Sequence, residues 1–172
     1  MMKMAKGPRY KVPFRRRREG RTDYRRRAGL LRGGIVRLVV RKSNRHLRVQ
    51  FVEYTDKGDK VLVTAVSKEL EELGWKAAGK STPGAYLTGL LAGKRAKEKK
   101  IEKAVLDIGL REPTKGATVF AAMKGAIDAG MDIPHSEEMI PSKDRLSGKH
   151  MHEGTVAMFE STKNKIGGAK DE

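Results

Sequence analysis

From His46 to Tyr54 apolar and polar positions alternate, with Leu47, Val49 and Phe51 on one face and Arg48 and Gln50 on the other. A period of two is the pattern of a half-buried strand. Ile35 to Val40 before it is apolar and partly β-branched, and Val61 to Val66 after it is similar, so both read as strands. Ser43-Asn44 and Asp56-Lys57-Gly58-Asp59 supply turn signals in the two gaps. Connections this short join antiparallel neighbours, which predicts a three-stranded meander.

The period then changes. Ser67 is placed to cap a short helix containing Glu69, Glu71 and Glu72, with Gly74 as its stop. Thr82-Pro83 opens a longer helix, with Pro at the first helical position and Leu87, Leu90 and Leu91 on its apolar face. Gly89 and Gly93, four apart, mark close packing along it. Lys103 to Ile108 reads as a short buried strand. Val119, Phe120, Met123 and Ile127 follow helical spacing, with Gly130 at the C′ position. Past Asp132 the pattern weakens. Pro134, Pro141, Gly148 and scattered charges predict an extended tail with a short helix around Thr155 to Ser161, fraying from Gly167-Gly168-Ala169. The elements therefore predict an α/β domain: a meander plus a further strand, packed by helices. Residues 1–34 form an arm, 35–133 the core and 134–172 the tail.

Composition narrows the class. A chain of 172 residues fits one domain with tails. Aromatic residues are 5% of it, so the core is expected to be Val, Leu, Ile, Ala and Met. The absence of cysteine excludes disulfides, thiol nucleophiles and thiolate zinc sites. No apolar run approaches the roughly 18 residues of a membrane span, and no secretory signal is evident. The expectation is a soluble intracellular protein with no membrane partner.

Charge changes the picture most. Residues 1–50 hold eighteen Lys and Arg against two acids, Glu19 and Asp23, whereas the other 122 residues hold twenty against nineteen. The arm contains Arg15-Arg16-Arg17-Arg18 and Arg25-Arg26-Arg27, with a helix expected from a Thr22 cap to Leu31 and a hinge at Gly33-Gly34. A segment this repulsive cannot order itself on apolar burial and needs a polyanion. Arg offers phosphate a planar fork of donors. Tyr10, Phe14 and Tyr24 are placed to stack on unpaired bases. With no helix-turn-helix, zinc-finger or zipper pattern, RNA is favoured over DNA. A basic tail or targeting signal is the plainer reading, but the excess continues through Arg37, Arg41, Arg45 and Arg48 into the first hairpin.

One motif points elsewhere. Gly74-Trp75-Lys76-Ala77-Ala78-Gly79-Lys80-Ser81 matches the phosphate-loop pattern G-x-x-x-x-G-K-[ST], and Asp107 would imitate a magnesium-side carboxylate. An NTPase with an RNA-targeting arm is the alternative function. The loop lacks the strand that should feed it, and the sheet before it is antiparallel rather than built of βαβ units. A surface loop between two helices is the plainer account. His135, His150 and His152 read as exposed tail or, less simply, metal ligands. Lys115-Gly116, at a helix start, is either a phosphate contact or a plain loop. No catalytic constellation stands out.

Lys42-Ser43-Asn44-Arg45-His46, then Asp107-Ile108-Gly109-Leu110, then Lys115-Gly116-Ala117-Thr118-Val119-Phe120 through Gly130 to Ile133-Pro134-His135, and finally Arg145 to His150, occur in a specific order. In this order they resemble the large-subunit ribosomal protein family that binds 5S rRNA, number eighteen in the universal naming, in its archaeal form. The resemblance implies a compact α/β domain with a mixed sheet, related to the ribonuclease H-like group without its catalysis. It implies no enzymatic activity, no cofactor, no metal and no small-molecule substrate. The implied partners are 5S rRNA, large-subunit rRNA at the central protuberance and neighbouring ribosomal proteins, in the cytoplasmic ribosome. The residues expected to meet RNA are Lys11, Arg15, Arg16, Arg17, Arg18, Arg21, Tyr24, Arg25, Arg26, Arg27 and Arg32 in the arm. Arg41, Ser43, Asn44, Arg45, His46 and Arg48 follow in the hairpin, with Lys115 and Lys149 beyond it.

Overall fold

A computed structural model describes residues 7–168. Its centre is a four-stranded sheet of β1 (Arg37–Lys42), β2 (Leu47–Thr55), β3 (Gly58–Val66) and β4 (Val105–Asp107), in the order β3-β2-β1-β4. β2 pairs antiparallel with both β1 and β3, and β4 runs parallel to β1. The meander and the mixed sheet are as expected. β1 starts two residues later than the sequence suggests. β3 reaches back to Gly58, so Asp59 pairs with Tyr54 as part of the ladder. A register shift at Phe51/Val52 leaves Leu62 as the extra residue on β3, which bends the hairpin.

Alternation gives the sheet two different faces. Leu38, Val40, Leu47, Val49, Phe51, Val63 and Ala65 point to one side and are buried. There they meet α3 (Thr82–Glu98) and α4 (Thr118–Asp128). Each large side chain fully withdrawn from water contributes about 1.5–3 kcal/mol. The Ser81 hydroxyl caps α3 by accepting from the Gly84 N–H at 3.2 Å. Pro83 is therefore the second helical residue, one place later than expected. The two helices cross in direct backbone contact. A Cβ on Gly89 would sit 1.9 Å from the Ala122 carbonyl oxygen, and one on Gly125 2.1 Å from that of Tyr86. The close packing predicted from Gly89 and Gly93 is the seam of this crossing.

Two segments differ from expectation. Lys68 to Gly74 is a run of turns rather than a helix, with i→i−3 bonds such as Glu71 N–H to the Lys68 carbonyl. Ser67 is not a cap. Its hydroxyl accepts from the Leu47 N–H at 3.0 Å and fastens the end of β2. Burial of both Leu70 and Trp75 pulls the segment into these tighter turns. The tail contains a 3-10 turn at Glu137–Met139, α5 (Lys143–Ser147) and α6 (Thr155–Gly168). α6 is twice the length predicted, because Phe159, Thr162 and Ile166 lie buried on one stripe against α3. Gly167 and Gly168 are helical rather than frayed, and Ala169 onward falls outside the described residues, as do residues 1–6 of the arm.

Candidate nucleic-acid interface

The face of the sheet turned away from α3 and α4 carries Arg37, Val39, Arg41, Gln50 and Val52, and the arm lies over it. The arm folds as α1 (Arg15–Arg18) and α2 (Tyr24–Leu31). α2 is capped by Asp23, whose Oδ1 accepts from the Arg25 and Arg26 N–H groups at 2.9 and 3.1 Å. The cap expected at Thr22 falls one residue late, because the Thr22 hydroxyl instead accepts from Arg16 Nε at 2.8 Å. The Phe14 and Tyr24 rings pack tilted on each other, centroids 5.2 Å apart, and fold α1 back against α2.

A ladder of alternating charge ties the arm to the sheet. Arg27 Nη2 donates to Asp59 Oδ1 at 2.7 Å, and Arg37 Nη2 lies 2.9 Å from the same oxygen. Arg37 Nη1 donates to Asp107 Oδ2 at 2.9 Å, and Arg41 bonds both the Asp107 carboxylate and its carbonyl. Arg37 is 2% exposed, a guanidinium kept in the interior by two carboxylates. Burial works against the charge on Asp59, but hydrogen bonds from Arg27 and Arg37 outweigh it and hold the carboxyl below its ordinary value. The hydrogen bond to Asp59 likewise raises Arg27. The arm is thus more ordered than its charge alone implies, because Asp59 and Asp107 supply counter-charge from within the chain.

Between arm and sheet runs a groove of about 1340 Å³, walled by Arg16, Arg21, Arg26, Gln50, Ile108 and Arg111 among others. Arg15 and Arg21 lean on Glu19, and Arg26 on Asp23, in exposed pairs that contribute little. Among the described residues, Lys11, Arg17, Arg18, Arg25, Arg32, Arg45 and Arg48 have no carboxylate within 4 Å, and all are exposed. In the first hairpin the Ser43 side chain is committed to the turn, donating to the His46 carbonyl and accepting from its N–H. Asn44 and Arg45 project beside it, and His46 is half-buried.

Two expected positions stand apart. Lys149 is ion-paired to Asp144 at 2.7 Å, which raises its pKa, on the α5 side of the helical layer opposite the arm. Lys115 is paired to Glu138 at 2.6 Å. The Gly116 N–H goes to the Met139 carbonyl and the Ala117 N–H to that of Thr114, so neither amide is available to a phosphate. Asp59, Asp107 and Arg37, read from sequence as a turn residue, an imitation magnesium-side carboxylate and part of the basic excess, instead hold the arm and hairpin together. The available signal was one cation inside the apolar run Ile35 to Val40, with acids at a turn and a strand end.

Each fixed position of the phosphate-loop look-alike except Lys80 has a structural role. Gly74 has φ +97°, a left-handed turn. A Cβ at Gly79 would lie 2.5 Å from the Ser67 hydroxyl. Ser81 caps α3, and Trp75 between them is a core residue at 1% exposure. No strand feeds the loop, and Asp107 is engaged by Arg37 and Arg41. Among the described residues no group of His, Asp and Glu is arranged to hold a metal.

Comparison with known proteins agrees with this architecture. The family model described as "Ribosomal large subunit proteins 60S L5, and 50S L18" matches residues 8–102 and 95–136, which span the arm, the sheet and α4. The "Large ribosomal subunit protein uL18" of Haloarcula marismortui is 56% identical over 150 residues, 87% of this chain and 80% of the relative. That of Aeropyrum pernix is 52% identical over 158 residues, 91% and 74% of the two chains. That of Korarchaeum cryptofilum is 52% identical over 148 residues, 86% and 76%. An arm, sheet and helical layer matched continuously at this identity leave one assignment: the chain belongs to the L18/L5 family of large ribosomal subunit proteins.

Proposed function

We propose that this protein binds 5S rRNA and anchors it to large-subunit rRNA at the central protuberance, among neighbouring ribosomal proteins, without catalysing a reaction. The observation that carries the reading is the charge ladder. It uses Arg27, Arg37 and Arg41 to fix the arm over the sheet, with Arg16, Arg21 and Arg26 along the groove between them and the other arm and hairpin arginines exposed. Arg17, Arg18, Arg25, Arg32, Arg45 and Arg48 then serve as phosphate contacts, and Asn44 as a polar contact at the hairpin tip. Tyr24 is half-covered by Phe14, so the more exposed Phe14 is the better stacking surface. Arm, core and tail act as clamp, scaffold and brace.

The test is competition of 5S rRNA against tRNA, with full-length protein and protein lacking the residues before Gly33. The full-length protein should prefer 5S rRNA by well over tenfold, at about 1.4 kcal/mol per decade, and the shortened protein should lose most of that preference. Equal binding of both RNAs would sink the assignment to 5S rRNA.

A further inference from the structure

Lys80 is the fixed position of the look-alike motif that the fold leaves unexplained, and its surroundings give it a use. It is exposed at the start of α3 and, among the described residues, has no carboxylate within 4 Å and no hydrogen-bond partner. Two further cations share its neighbourhood. Lys42, at the end of β1, donates to the Thr118 hydroxyl at 3.1 Å. Arg111, from the loop before α4, donates to the Lys42 carbonyl at 2.8 Å. Neither has a carboxylate within 4 Å among the described residues, although 21 acids are available in the chain. Burial lowers the Lys42 pKa, and the charges of Arg111 and Lys80 lower it further. Lys80 is carried to this corner by Gly79, which packs on Ser67, whose hydroxyl accepts from the N–H of Leu47, the ladder partner of Lys42.

Lys42 and Arg111 wall a cleft of about 440 Å³ together with Glu112, Thr114, Thr118 and Val119, and Lys80 stands outside that wall. Three cations from three separate segments, none within 4 Å of a carboxylate among the described residues, outnumber the one acid of the cleft, Glu112, and leave an excess that an anion offsets. The end of α4 adds to it. Ala117 provides no side-chain cap, and the Thr118 and Val119 N–H groups make no hydrogen bond among the described residues.

We infer that Lys42, Lys80 and Arg111 form a second anion site, which binds a backbone phosphate of the RNA beyond the Ser43–His46 turn. The site rests on the RNA-binding reading above and extends it from the open face of the sheet, around the end of β1, to the start of the helical layer. It moves the phosphate contact expected at Lys115-Gly116 one turn onward, to Thr118 and Val119. Arg111 is held by the Lys42 carbonyl and presents its remaining donors as a fixed fork, while Lys80 supplies a mobile charge.

The experiment uses the full chain and its Lys80→Ala and Lys80→Glu variants, because Lys80 has no partner whose loss would disturb folding. RNA affinity is measured across a range of salt concentrations, with deletion of the residues before Gly33 as a parallel arm. Amide shifts of Thr118 and Val119 are followed during titration with inorganic phosphate. Lys80→Ala should weaken RNA binding about threefold and Lys80→Glu about tenfold. The log–log salt slope should become shallower by about 0.7–0.9, one phosphate's worth. The Thr118 and Val119 amides should shift with phosphate in the wild-type protein and less in Lys80→Glu. Unchanged affinity and slope in both Lys80 variants, with binding still lost on removal of the arm, would overturn the site and leave the RNA reading standing. Phosphate-dependent shifts with unchanged RNA binding would make it a free-anion site and overturn the RNA contact. RNA binding indifferent to both changes would remove the reading on which the site rests.

Discussion

Arg37 shows how one position can be legible by type and not by role. Its charge joins the basic excess of the first fifty residues, yet the structure buries it between Asp59 and Asp107. Strand alternation places it on the open face, but only the pairing of β1 with β4, decided by a contact 70 residues away, brings Asp107 beside it. Removing one partner of a buried pair leaves an uncompensated charge. Asp107→Ala should therefore destabilise the protein by about 3 kcal/mol, read from the urea midpoint. Asp59→Ala should cost the global fold less and instead release the arm. The pH dependence has a definite sign. Asp59 is depressed in the folded state, so its contribution is fully present above the unfolded carboxyl value of about 3.9 and is lost as pH falls through the lower folded value. Arm docking should persist at pH 5 and fail only below about pH 4, followed by amide exchange in α2. The two halves of the Gly74–Ser81 motif make the opposite point. A catalytic pattern matched in full, yet Gly79 is there for want of room beside Ser67, and Ser81 is there as a cap.

Among elements, the meander, α3, α4 and the fourth strand were visible because their periods are clean and their turns short. α2 was visible as a helix but not as a docked one. Its order depends on Asp59, and amide protection from Tyr24 to Leu31 should exceed that of Arg15 to Arg18 and fall in Asp59→Ala. α6 was read only to Ser161, and Gly167 and Gly168 beyond it were read as fraying. Tertiary contacts override them: Lys94 donates to the Gly167 carbonyl at 2.9 Å, and Lys165 to that of Leu73. The α3–α4 crossing is the least forgiving element contact. Gly89→Ala should cost about 3 kcal/mol, since the added methyl meets backbone that cannot retreat. Gly29→Ala, with nothing within 4 Å, should stabilise α2 by about 0.5–1 kcal/mol. Thermal unfolding of the two variants separates the cases. The β3 edge of the sheet is also partly covered, because Arg95 on α3 and Lys99 just after it donate to the Thr64 and Leu62 carbonyls. Side chains on these edge carbonyls discourage another strand from adding there.

Across the whole molecule, charge asymmetry was the clearest property of the sequence, and the structure gives it a direction. The arm and first hairpin share the open face of the sheet, while α3, α4, α5 and α6 stack behind the other. That continuity was legible as an unbroken basic run. The separation of Lys149 from it was not, since α5 reaches its place only through packing on α3. The ladder that joins the two ends of this design also has an order in time. Arg27 waits 32 residues for Asp59, and Arg37 waits 70 for Asp107. A chain is synthesised from its N-terminus, so the arm emerges with only Glu19 and Asp23 against its cations, gains its first counter-ion from the sheet when β3 follows, and its second only with β4. An unfinished or truncated copy of this protein is therefore a stickier object than the finished one, and its first encounter with nucleic acid is a matter of timing as much as of affinity.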